Sequence, residues 1–244
     1  MKNKFSIIAA CIALTLISCD KKEDAVASAD SSITTSGTIT GQITNYSDNS
    51  AVLDSVYAED IDSTNYPGSA KIATDGKFSI SLKTLPKLLA ISSMEGVSIS
   101  DTAALTGTVQ LNSSVDDGRT GYIVRCNYTN PTKVTSGMAA SIFVYSDRAV
   151  TIKGTYSDIY KDRGITNNET IVYNVKLQKG WNEVVRKVDE KSSTSTTYTF
   201  KGTVTSTIPA DFKWVYLNSS NGPFTVKQQA KTAFIRKDAL FFTK

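Results

Sequence analysis

The chain has 244 residues, enough for one large β domain or two small ones, and its 27 basic side chains outnumber its 23 acidic ones by little once Lys2 and Lys4 are set aside. So even a balance excludes a phosphate-tracking surface, and with it nucleic acid as a partner. Histidine is absent, which removes Ser-His-Asp and Cys-His catalysis and nearly every zinc site built on His and Cys.

Lys2 and Lys4 form a basic head, an uncharged run extends from Ile7 to Ile17, and Ser18 is the small residue before Cys19. The order is that of a secretory leader, and the run falls short of the about 20 apolar residues a permanent membrane helix needs. Leu16-Ile17-Ser18-Cys19 resembles the lipobox of bacterial lipoproteins. The resemblance implies a thioether-linked diacylglycerol on Cys19, cleavage after residue 18 and acylation of the new amino group. Three chains at about 0.8 kcal/mol per buried CH₂ make a stable membrane anchor. The plain alternative is an ordinary leader with an incidental cysteine. Asp20 would imply inner-membrane retention in some bacteria, whereas Lys22-Glu23-Asp24 resembles the export signal of Bacteroidota-type surface lipoproteins. A solvated charge run is the blander reading of the same residues. The expectation is an outer-membrane, lipid-anchored protein, facing either the cell surface or the periplasm.

Residues 20–36 hold only Val26 and Ile33 as larger aliphatics. They predict a flexible tether over 19–36, spanning roughly 20 to 25 Å as a coil. From Gly37 short alternating runs begin, with Ile39 and Ile43 on one face and a second strand near Val52 to Ala58. Lys71 to Ala73 and Lys77 to Leu82 flank Thr74-Asp75-Gly76, and Asp-Gly between alternating runs predicts a hairpin. Thr74-Asp75-Gly76-Lys77-Phe78-Ser79 resembles the closing hairpin of carboxypeptidase-regulatory-like (prealbumin-type) β modules, scaffolds without catalysis of their own. This likeness covers residues 37–85 and sets an N-terminal β module at 37–94.

Leu85 to Ile91, with Pro86 at the first position and Thr84 as cap, predicts one short helix. A connector over 95–106 then leads to a C-terminal unit at 107–244. There, strands are predicted near 121–128, 139–146, 149–156, 170–177, 181–188, 196–204 and 212–217. Asn130-Pro131, Asn167-Asn168 and Lys179-Gly180 serve as turns, the last opening a tight hairpin into Trp181. Short strands at regular spacing predict an all-β fold, an antiparallel β-sandwich in two β units joined by a short helical connector. Residues 224–244 stay ambiguous between helix and strand.

Cys11 leaves with the leader and Cys19 takes lipid, so Cys126 is the one thiol left, and its strand-like surroundings predict a buried, inert side chain. Glu59-Asp60-Ile61-Asp62, Asp116-Asp117 and Asp158 with Asp162 do not fit a twelve-residue calcium loop, and they read as solvated loops. No metal and no cofactor is expected. Period two puts Phe212, Trp214 and Tyr216 on one sheet face, either as core or as a platform for sugar rings. Asp54-Ser55-Val56, Asp62-Ser63-Thr64 and Asp101-Thr102-Ala103 resemble Bacteroidota O-glycosylation sites, placing candidate glycans on Ser55, Ser63 and Thr102.

As a whole the chain resembles uncharacterised Bacteroidota-type outer-membrane lipoproteins, through its lipobox, charged tether, Gly76-Lys77-Phe78-Ser79 and Lys179-Gly180-Trp181-Asn182. The function expected is binding or structural support at the envelope without catalysis, the membrane reached through the lipid. The second reading is capture of a glycan, a peptide or an envelope protein by the C-terminal unit; a carboxylate-based hydrolase is the remote third.

Overall fold

The computed structural model describes residues 30–51, 53–61, 65–114, 121–129 and 134–218. The leader, Cys19, Ser63, Asp116-Asp117 and the 224–244 tail lie outside the described residues. The strands are β1 (Thr38–Gln42), β2 (Ser55–Asp60), β3 (Gly68–Lys71), β4 (Lys77–Ser81), β5 (Leu89–Ala90), β6 (Val97–Ile99) and β7 (Leu105–Ser114), then β8 (Gly121–Cys126), β9 (Ala139–Ser146), β10 (Val150–Asp162), β11 (Ile165–Leu177), β12 (Gly180–Ser193), β13 (Thr197–Thr205) and β14 (Lys213–Asn218). The helix present among the described residues is a single 3₁₀ turn, Ser47–Asn49.

The protein is all-β, in a 2-stranded sheet, β1-β4, and a 12-stranded sheet ordered β3-β2-β7-β8-β9-β12-β13-β11-β10-β6, with β14 on β8 and β5 on β7. Between the named strands pairing is antiparallel except for β11 and β13, which run parallel from Thr166↔Thr197 to Asn174↔Thr205. Side chains alternate along each strand, so the sheet has two buried faces. On β12, Trp181 and Val185 go to one side while Val184 and Val188 go to the other. The first side is covered by β1 and β4 through Ile39, Phe78 and Ile80; the second packs against Val215 and Leu217 of β14.

Several expectations are corrected. The helical connector is absent: Leu85 is buried and the segment runs extended into β5, because Leu85 and Leu88 close over Gly107, where a Cβ would come within 2.5 Å of Leu85 Cδ1. The Thr74-Asp75-Gly76 turn forms, with Gly76 at φ +80° and Lys77 N–H donating to Asp75 Oδ1 at 3.1 Å. Its arms then diverge, β3 to β2 in the large sheet and β4 to β1 in the small one. The Lys179-Gly180 turn likewise opens no hairpin, since β13 lies between β11 and β12.

The last residues assigned to the tether are held against the fold. Ile33 is buried and bridges Ile39, Trp181 N–H donates to Thr35 O at 3.0 Å, and Thr40 N–H donates to Ser32 O at 3.0 Å. The Trp181 ring fits over Gly37, whose φ of +99° and missing side chain permit the approach. The 95–106 tract, in turn, does not separate one core from another. β6 within it pairs β10, β2 pairs β7, and Ile39 and Phe78 share a cluster with Phe143 and Trp214.

Candidate functional site

β7 is paired to β9 along Thr106–Val109 and to β8 only at Asn112 and Ser113, while β8 meets β9 only at Cys126↔Ala140. The sheet therefore forks. Between the arms lies a recess of about 90 Å³ whose wall is largely aliphatic and aromatic, with Ile123, Val124, Ile142 and Phe143 among its residues. Two arginines reach the same wall, Arg125 from β8 and Arg186 from β12.

Arg125 belongs to a clamp built around Glu183, a carboxylate with a fully buried side chain. Arg125 Nη1 donates to Glu183 Oε2 at 2.9 Å and to Oε1 at 3.0 Å, and Ser141 Oγ donates to Oε1 at 2.5 Å. Ser32 donates to Oε2 through its N–H at 2.6 Å and its hydroxyl at 2.9 Å, and Ser31 Oγ at 3.3 Å. A buried charge is tolerated only when paired and hydrogen-bonded. Here the pairing also fixes the incoming chain to β9 and β12.

Arg186 is three residues further along β12 and so faces the opposite side of the sheet. Among the described residues it is the largest fully buried side chain, with Cζ 5.5 Å from the centroid of the Phe200 ring. Burial pushes its pKa down, and Tyr173, Glu169 and Tyr198 act the other way. Burial also raises Tyr173 well above the ordinary phenol range.

Beyond Arg186 the same face continues toward the tip of the β10–β11 hairpin. Register puts Tyr160 beside Asn167 and Asn167 beside Tyr198, and Asp158 beside Glu169. The Tyr156 phenol is raised by burial first, then by the charges of Asp158 and Glu169. Tyr156, Tyr160 and Tyr198 are half-buried. They form a row of phenols and carboxylates with their rings turned partly inward.

The Phe212, Trp214 and Tyr216 platform is a correction: the three residues are 8%, 6% and 3% exposed. Trp214 meets Phe78 edge-on at 5.0 Å and stacks on Phe143 at 5.9 Å, above Gly41, where any Cβ would collide with the indole. They are core, and no sugar ring can lie on them. Of the candidate glycosylation sites, Ser55 is half-buried in β2 and Thr102 is exposed in a turn. Cys126 is buried as expected, its thiol pushed up to about 11 by burial.

Arg125, Glu183 and Arg186 are the residues that sequence reasoning passed over. The signal for two of them was charge inside the run Trp181 to Val188, predicted as a strand, which carries Glu183, Arg186 and Lys187. Among the described residues no group of three or more His, Cys, Asp or Glu side chains could hold a metal ion. No family model matches the chain, and neither a curated protein nor a solved structure matches it.

Proposed function

We propose that this chain is a lipid-anchored cell-envelope protein of binding type without catalysis, held in the outer membrane through Cys19. The observation that carries the binding reading is the recess at the β7–β8–β9 fork, a concave, mostly apolar wall with a few charged groups, as small-ligand sites are built. The anchoring reading rests on Leu16-Ile17-Ser18-Cys19. The finer architecture we propose is a sandwich, since β8 and β14 supply Tyr122, Val215 and Leu217 to the same core as Val144 and Val184 of β9 and β12. Globomycin treatment and Cys19→Ala should each leave an uncleaved precursor; an unchanged, membrane-associated mature product overturns the anchoring.

A second reading, glycan binding, is favoured by the row of Tyr156, Tyr160 and Tyr198 beside Asp158 and Glu169. Phenol hydroxyls and carboxylates are the groups that hydrogen-bond a polyhydroxylated ring. A glycan array probed with the full-length protein should give signal that Tyr160→Ala loses. An array blank for the wild type removes this reading.

A further inference from the structure

We propose that the outer edge of β10 is a self-association surface: residues 156–162 pair antiparallel with the same residues of a second copy of this chain, about a two-fold axis at Ile159. The proposal goes beyond the binding and anchoring readings and depends on neither.

The backbone comes first. β10 has 13 residues, and β6 covers its outer side only from Ile152 to Gly154. Ser100 N–H donates to Thr151 O at 3.0 Å, Ser98 Oγ to Lys153 O at 2.9 Å, and Thr155 N–H to Gly96 O at 2.9 Å. Every second residue of β10 thus turns its N–H and C=O away from β11, and the β10–β11 register runs without a shift to Asp162↔Ile165. The alternation carries on to Ser157, Ile159 and Lys161, whose outward groups meet no strand among the described residues. The strands at the two ends of the large sheet are short, β3 with 4 residues and β6 with 3. A long edge without proline or bulge, as β10 presents past Thr155, is a template for another strand.

The side chains choose the partner and the register. Ile159 stands 73% exposed in mid-strand, and centring the pair on it sets each Ile159 against the other. Asp158 then faces Tyr160 of the second copy, Tyr156 faces Asp162 and Ser157 faces Lys161, so no like charges oppose. The neighbouring registers fail. Centred on Asp158, two carboxylates meet; centred on Tyr160, each Asp158 meets Asp162; centred on Lys161, two lysines meet. Like charges directly opposite destabilise a strand pair. Centred on Ser157, the pairing needs the Thr155 N–H that Gly96 already holds. One register therefore joins backbone bonding, apolar contact and charge, and a two-fold axis repeats it in both copies and closes the edge.

The test is the association state of the full-length protein in detergent, by sedimentation velocity over a concentration series, together with disulfide trapping. The wild type should form dimers as concentration rises. Ile159→Lys, which sets two ammonium groups opposite each other, should weaken association by at least about tenfold. Ile159→Pro, which removes an outward donor that an edge strand can lose without unfolding, should do the same. Ile159→Cys should give a disulfide-linked dimer on mild oxidation, since paired Cα atoms about 5.5 Å apart suit the bond. Val172→Cys, exposed on the same face but on β11, should not. A wild type that stays monomeric overturns the proposal, and protection of the Ile159 amide from exchange in that monomer assigns the edge to another segment of the chain. A dimer undiminished by both Ile159→Lys and Ile159→Pro, or trapped equally well through Val172→Cys, lies on another surface and overturns it too.

Discussion

Glu183 and Arg125 show how much one buried pair can organise. The carboxylate gathers donors from Ser31, Ser32, Arg125 and Ser141, so Glu183→Ala leaves a guanidinium with an 11% exposed side chain and no counterion. The expected loss is about 3–5 kcal/mol in urea unfolding, and adding Arg125→Met should recover some of it, the coupling being read as a double-mutant cycle. Cys126 predicts the opposite behaviour, inertness. Buried, with its thiol pushed up to about 11 and donating to Tyr128 O at 3.1 Å, it should resist iodoacetamide at pH 8 in the folded protein and react once the chain is unfolded in urea.

Among the elements, the β10–β11 hairpin makes the plainest prediction. Its turn places Arg163 at φ +48° and Gly164 at φ +84°, a two-residue connection that favours Asn-Gly. Arg163→Asn should relieve about 1 kcal/mol of left-handed strain, seen as slower amide exchange at the hairpin tip. This turn also shows where the sequence could be read and where it could not. Asn167-Asn168 carries the stronger turn composition, yet both residues sit inside β11, paired to Tyr160 and Ile159. Strand β9 was legible to the residue because its alternation is apolar. β7 was invisible because Thr106, Thr108, Asn112 and Ser113 are buried polar residues, and only tertiary partners such as Glu59, which accepts from Asn112 Nδ2 at 2.5 Å, make that composition tolerable. The recess was illegible for a related reason: it exists where two pairings of β7 diverge, and no local pattern encodes a divergence. Arg186 was visible as a misplaced charge, but its burial required the face of β12 to be known.

For the whole molecule, the buried acids set the response to alkali. Cys126, Tyr57, Tyr128, Tyr156 and Tyr173 all have raised pKa values with burial as the leading cause. A group raised in the fold gives stability that is complete below its unfolded pKa and fades as pH climbs through the folded value. Lys191, lowered by burial, works weakly the other way. Urea midpoints should therefore fall between about pH 9 and pH 11, and Cys126→Ala should flatten some of that slope. The placement of β13 decides something else, the order of assembly. It follows β11 and β12 in the chain yet occupies the edge of β11 from Thr166 to Asn174, so a direct β11–β12 hairpin and the native fold exclude each other. The tight loop at Gln178-Lys179 brings those two strands together soonest, and every such early encounter has to unzip before β13 can enter, which makes refolding slow and gives the chain a local trap at its most obvious turn.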